Sequence, residues 1–398
     1  MSDPSPRRYD LDWIRIGAFF LLILYHVGMF YVPWDWHVKS PQPVAWLEPV
    51  MLLTNPWRLS LLFLVSGAAT RFMADKLAAG ALAGQRTARL LPPLVFGMLI
   101  IVPPQSYYEI VEQLGFSEGY LAFYGRYLTA SGGWCDAGGC LITPTWNHLW
   151  FVAYLLVYTL ALAALIAWAK PALRRLEQGL ARLPAWALLV CPIIVLGLAR
   201  AVLLPRFGIT HALVDDWYNH VLSFSLFLFG YLTAKSDDVR RRLISLRWPA
   251  LAVALVAYGL FSLYAWTWRE AVAEPAPGLV LAMRFVYAVD QWGAIVAILG
   301  FGARHLNRPH PALAYLTLAV FPYYIVHQSV IVVAGHHLAQ SGLPQGLEAG
   351  LLIGVTVAAC GLTYEVVRRL GWLRPLFGLK SEQHSARGRE QALPIQNG

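Results

Sequence analysis

The chain has 398 residues, 58% of them hydrophobic and only 13% charged, with a mean hydropathy of +0.53. Soluble domains carry roughly 25% charged residues, so this composition excludes an ordinary water-soluble fold and makes lipid the surrounding solvent. The formal net charge of +9 would suit nucleic acid, but the cations gather at the ends of apolar runs, which excludes that partner and points to membrane lipids.

The first apolar run, residues 14–33, is entered by Arg8-Tyr9-Asp10-Leu11-Asp12-Trp13-Ile14-Arg15 and carries His26. It has full span length, lacks a small-residue cleavage site and is followed by similar runs, so it predicts a permanent span and not a removable signal. An ionisable side chain at bilayer depth is costly and usually faces a protein interior or a water-filled cavity. An imidazole there can move protons near neutral pH. Arg15 and His26 are about three helical turns apart and share a face with Asp12, His26 lying roughly 16 Å outward of Arg15. A histidine that only ties helices together is the plain alternative.

Trp36-His37-Val38-Lys39 follows just beyond this run. The second run, 57–74, is predicted to open with Asn55 as cap and Pro56 at the first helical position; Arg58 lies at its outer end and Arg71 at its inner end. The third, 88–104, is led by Arg86 and Arg89, one turn apart, ahead of Pro92-Pro93. Adjacent guanidinium groups offer paired donors to phosphate, with ordinary inner-loop charge as the alternative. A Gly-rich loop then holds Cys135 and Cys140, a disulfide if it faces an oxidising compartment and two free thiols otherwise. No His/Cys spacing suits a metal.

The fourth run, 146–168, opens with Trp146-Asn147-His148-Leu149, and runs at 184–204, 218–234 and 248–268 follow. The eighth, 279–303, holds Arg284 and Asp290, six residues apart and so on different faces. The ninth, 313–334, contains Tyr323-Tyr324-Ile325-Val326-His327-Gln328-Ser329, and the tenth, 347–367, ends on Tyr364 and Glu365. After Lys380 the chain turns polar and rich in Gln, Ser and Arg, which predicts a disordered cytoplasmic tail over 381–398. No repeat or break marks a second domain. Residues 1–380 therefore read as one all-α, polytopic integral membrane domain of about ten transmembrane helices.

With the N-terminus inside, the termini and inner loops collect all but seven of the 31 Lys and Arg; the exceptions are Lys39, Arg58, Arg126, Arg200, Arg206, Arg269 and Arg284. That bias is what the positive-inside rule requires, so both termini are placed in the cytoplasm. His26, His327, His148 and Arg58 then converge by depth on the outer half of the membrane. Arg15, Arg71, Arg86 and Arg89 share the inner side, and the Cys135/Cys140 loop falls outside.

Leu11-Asp12-Trp13-Ile14-Arg15 through His26, Trp36-His37-Val38-Lys39-Ser40, Arg58 to Phe63-Leu64-Val65-Ser66-Gly67, Arg86-Thr87-Ala88-Arg89, His148-Leu149-Trp150-Phe151 and Tyr324-Ile325-Val326-His327 form an ordered set. That set resembles the membrane acyltransferases of acyltransferase family three over nearly the whole chain, most closely those that succinylate periplasmic glucans. No one stretch is specific alone; their order on ten spans is. The chain departs from the pattern at Ala68-Ala69, where the usual continuation is bulky and aromatic.

The resemblance implies a thioester cosubstrate, acyl-CoA of succinyl or acetyl type, approached from the cytoplasm, with no bound cofactor. It implies a glycan hydroxyl as acceptor on the far side, a bacterial inner membrane location and partner proteins of glucan biosynthesis. It also implies that His26 is essential to transfer and that Arg15, Arg86 and Arg89 serve the donor, with Arg71 at similar depth. The residues themselves suggest His26 as general base on the acceptor hydroxyl, oriented by His327, Asp290 or Arg58, with Arg58 or His148 stabilising the developing oxyanion. A covalent acyl-histidine is the alternative course. A transporter or flippase and a pH-sensing scaffold are the competing classes. The absence of a visible repeat counts against the first, and the phosphate-suited inner arginines count against the second.

Overall fold

A computed structural model describes residues 7–136 and 139–380; the tail predicted after Lys380 lies outside the described residues. Lipid offers no partner to a backbone N–H or C=O, so apolar runs fold as helices that satisfy these groups internally. In chain order they are α1 (Tyr9–Tyr31), α2 (Glu48–Leu52), α3 (Arg58–Ala74), α4 (Ala79–Phe96), α5 (Pro103–Leu114), α6 (Tyr120–Leu128), α7 (Trp150–Trp168), α8 (Lys170–Arg182), α9 (Ala185–Val202), α10 (Leu204–Phe207), α11 (Trp217–Thr233), α12 (Asp237–Trp268), α13 (Pro277–His305), α14 (Pro311–Ala339) and α15 (Gln345–Arg369). Among the described residues the only strands are two-residue segments, Cys135–Asp136 paired antiparallel with Gly139–Cys140.

Among the described residues, eight helical stretches are long and apolar enough to cross a membrane: α1, the α4–α5 stretch, α7 with the turn before it, α9 continued into α10, α12, α13, α14 and α15. The two other predicted spans are α3 and α11, of 17 residues each. At about 1.5 Å per residue each is about 25 Å long, at the short end of spanning lengths. The protein is an all-α, polytopic membrane protein.

Three predicted boundaries move, each for a local reason. The second span begins at Arg58, not beside Asn55, because the Asn55 side-chain oxygen takes the Arg58 guanidinium (3.4 Å) and makes no helix cap. The third does not stop at Pro104, since Pro103 and Pro104 occupy the first turn of α5, where a missing N–H is tolerated. The seventh begins eleven residues early. Ser236 accepts from the Val239 N–H, Asp237 and Asp238 occupy the first turn, and the basic stretch to Arg247 is helical.

The chain divides into two compact units. The first comprises Met1–Tyr25, Ala45–Ala83 and Val157–Ala314. Within it, α3 and α11 meet at glycines: a methyl at Gly67 would overlap the carbonyl of Phe227, and one at Gly230 the carbonyl of Leu64. Such small residues let membrane helices pack backbone to backbone. Ala68, the residue after Gly67, is buried beside this contact.

The second unit comprises His26–Val44, Gly84–Leu156 and Tyr315–Gly398. A five-residue π turn, Gly97–Ile101, joins α4 to α5. Pro103 and Pro104 bring no N–H to this turn, and side chains take up its carbonyls. Tyr127 donates to Met98 O (2.8 Å), Tyr124 to Leu99 O (2.9 Å) and Ser329 to Ile101 O (2.6 Å). Ile110, Phe123, Tyr127 and Trp134 form a buried cluster here.

Cys135 and Cys140 are bonded to each other. A disulfide belongs in an oxidising compartment, as the charge bias implies for this loop. Thiol labelling of intact cells with a membrane-impermeant maleimide is expected to mark these two cysteines only after reduction. Labelling without reduction, or none afterwards, contradicts the orientation.

Candidate active site

His26 lies on α1 and His327 on α14, and both belong to the second unit. His26 Nδ1 is 2.7 Å from His327 Nε2, and His327 Nδ1 is 2.6 Å from the Tyr324 carbonyl oxygen. A carbonyl only accepts, so His327 carries its proton on Nδ1 and offers the Nε2 lone pair when neutral. His26 then donates from Nδ1, and its own Nε2 holds a lone pair. One backbone oxygen thus fixes two tautomers in series. His327 is fully buried and His26 half-buried, with the Trp36 ring stacked 14° from parallel on His26.

His148 completes a trio, its ring lying perpendicular to His327 with centroids 5.2 Å apart. Both its ring nitrogens are engaged: Nε2 donates to Ile325 O (3.0 Å), and Nδ1 faces the Gln105 amide nitrogen (3.3 Å). Gln105 also donates to Ser329 Oγ (2.7 Å) and accepts from Asn147 (3.2 Å) and Gln328 (3.0 Å). Gln328 donates to His37 Nε2 (2.9 Å), so His37 presents Nδ1–H to Glu109 Oε2 at 2.7 Å. All four amide hydrogens of the two glutamines are used. A saturated buried network of this kind holds its members in single positions.

The end of α1 is fixed from the loop that follows it. Lys39 Nζ donates to Met29 O (2.6 Å), Trp34 O (2.7 Å) and Val32 O, while Ser40 N and Val44 N reach Phe30 O (2.9 Å) and Tyr31 O (2.7 Å). A cation suits the carbonyl end of a helix. Burial lowers the Lys39 pKa to about 8, which leaves it charged at neutral pH. Lys39 therefore folds Trp36 and His37 back beside His26. Lys39→Met is expected to cut turnover about 10-fold or more, a typical result of sub-ångström misplacement, and Lys39→Arg to restore part of it. Unchanged steady-state kinetics in a folded Lys39→Met protein would show that the loop does not position the site.

A half-buried imidazole with a set lone pair, backed by a second imidazole and a carbonyl, has the chemistry of a general base. Residues 8–365 match the acyltransferase domain of acyltransferase family three. The chain belongs to that family. It is 25% identical to the glucans biosynthesis protein C of Salmonella paratyphi B and to that of Salmonella enteritidis PT4, each over 97% of this chain and the whole of the relative. No solved structure matches it.

In this membrane acyltransferase the remaining predicted site residues are distributed between the units. Arg58 and Asp290 belong to the first, where both are buried. The Arg58 guanidinium lies 3.2 Å from the centre of the Tyr25 ring, and Gln291, next to Asp290, donates to Ser60 Oγ (2.8 Å). Arg15 pairs with Asp12 (3.6 Å) in the same unit. Arg71 is held there by both oxygens of Glu177 (3.0 Å each) and by Asp75 (3.2 Å). Arg86 and Arg89 belong to the second unit; Arg86 is buried, and Arg89 opens on a cavity of about 530 Å³.

Sequence reasoning missed Gln105, Glu109, Asn147, Gln328 and Ser329. A signal existed for two of them: Gln105 and Glu109 are four apart and share a helix face, once the helix is known to run past Pro104.

Proposed function

We propose that this acyltransferase moves a succinyl or acetyl group from cytoplasmic acyl-CoA to a hydroxyl of an extracytoplasmic glycan, a glucan in the first instance, in the bacterial inner membrane. The observation that carries the proposal is the His26–His327–Tyr324 carbonyl chain in a member of an acyltransferase family. The relatives' name supports a glucan as the acceptor and glucan biosynthesis proteins as partners.

His26 Nε2 takes the proton of the acceptor hydroxyl as that oxygen attacks the thioester carbonyl. His327 Nε2 keeps accepting from His26 Nδ1, so the imidazolium that forms stays in its orientation. The carbonyl carbon passes through a tetrahedral oxyanion, the C–S bond breaks, and His26 returns its proton to the departing thiolate sulfur. The ester and free CoA are the products. Arg86 and Arg89 are assigned to the donor phosphates, as paired guanidinium donors suit them.

Mass spectrometry of periplasmic glycans from cells with the wild-type protein, without it and with a His26 variant tests the reading. The added mass identifies the acyl group and its carrier together. An identical glycan acylation profile in all three strains, with the wild-type protein shown to be present, removes the proposal.

A further inference from the structure

The cavity beside Arg89 is walled by Arg368, Arg369, Arg374, Lys380 and Tyr364, with Leu318 and Leu379 as its apolar part. Its volume of about 530 Å³ falls within the range of small-molecule sites, roughly 300–1,000 Å³. Among the described residues, five cations and no carboxylate line it. Glu365 binds Arg368 (2.8 Å) and Arg369 (2.9 Å) at one side. Arg374 donates to two backbone carbonyls, Lys380 O (2.8 Å) and Arg368 O (3.2 Å), which orient the guanidinium without cancelling its charge. The Arg89 side chain has no hydrogen bond or ion pair among the described residues.

Four of these cations, Arg368, Arg369, Arg374 and Lys380, lie at the C-terminal end of the described chain. They come from the last turn of α15 and the segment after it, and they face the Arg89 side of the cavity from a second part of the chain. Convergent cations of this density suit phosphate, which guanidinium groups bind with paired donors.

We infer that this cavity is a phosphate-binding site and that it takes the 3′-phosphorylated nucleotide end of the thioester donor. The inference rests on the acyl-CoA reading above. The nucleotide end of CoA carries all of its phosphate charge, whereas the pantetheine arm is neutral. A membrane phospholipid offers the same phosphate chemistry, and the test separates the two.

Isothermal titration of the full-length protein in detergent compares CoA with dephospho-CoA, which lacks the 3′-phosphate. The wild type is expected to prefer CoA about 10-fold or more, the worth of charge-assisted hydrogen bonds. Lys380→Gln combined with Arg374→Gln is expected to erase that preference by weakening CoA alone. In turnover it raises the donor KM and keeps kcat at saturating donor. Lys380→Glu alone repeats the test without disturbing the carbonyl bonds of Arg374.

Equal binding of the two nucleotides by the wild type, or an undiminished preference in folded Lys380→Glu, overturns the inference and leaves the donor reading standing. Loss of phosphatidylglycerol binding from nanodiscs in these variants, with CoA binding intact, assigns the cavity to lipid and also overturns it. Failure of the wild type to bind CoA in any form removes the donor reading itself.

Discussion

His26→Ala is expected to lower acyl transfer by about 10²–10⁴-fold, the usual worth of a well-placed general base, while the protein remains inserted and folded. The size of the loss follows from the tautomer chain. Only Nε2 of His26 holds a lone pair when both imidazoles are neutral, because Nδ1 is committed to His327 at 2.7 Å. Alanine removes that lone pair, and the one it uncovers, on His327 Nε2, belongs to a fully buried ring set back from the His26 position. His327 faces Tyr324 O through Nδ1, and His148 has both nitrogens engaged. The fold has other anchors at the same place, since Lys39, Ser40 and Val44 hold the end of α1 through backbone carbonyls. The measurement is product formation by purified protein under saturating donor and acceptor, with a size-exclusion profile to show folding. Activity within 10-fold of wild type would end the assignment of His26 as base.

Much of this was legible in the sequence because lipid enforces a simple grammar. Each span must be a continuous apolar run, so α1, α7, α9, α13, α14 and α15 could be read from hydropathy alone. An ionisable residue inside such a run stands out, which is why His26 and His327 were both visible. Their contact was not, since it depends on the packing of α1 and α14, and periodicity is silent on which helices are neighbours. Gln105, Glu109 and Gln328 escaped for a different reason. Neutral amides carry no penalty large enough to mark them, and Pro103-Pro104 reads as a helix end when it is a helix start. Arg58 has a contact that depth alone does not reveal. Its guanidinium rests on the Tyr25 ring in the first unit. For Arg368, Arg369, Arg374 and Lys380 the sequence speaks only of orientation, because the positive-inside rule assigns every inner cation the same role. Only three-dimensional placement separates a cation that sets topology from one that lines a cavity.

Gly67→Val is expected to prevent the first unit from folding, and Gly67→Ala to destabilise it strongly. On a helix interior, glycine to alanine should gain about 1 kcal/mol from backbone entropy alone, so any loss must come from packing. At Gly67 the packing term dominates: the first carbon of a side chain falls on the carbonyl of Phe227, and on the opposite helix Gly230 stands in the same relation to Leu64. Overpacking costs about 1–3 kcal/mol where side chains can yield. Here the obstacle is backbone within a helix, which yields only if α3 and α11 separate along their length. Valine adds two branches to that overlap. Gly259 in α12 provides the control, because a methyl there meets nothing within 4 Å. Gly259→Ala should therefore keep or gain stability while Gly67→Ala loses it. Thermal denaturation of the detergent-solubilised proteins, followed by fluorescence-detected size exclusion, reads both. If Gly67→Ala melts with the wild type, the two helices do not meet backbone to backbone, and the small residues at Ser66-Gly67-Ala68 need another explanation.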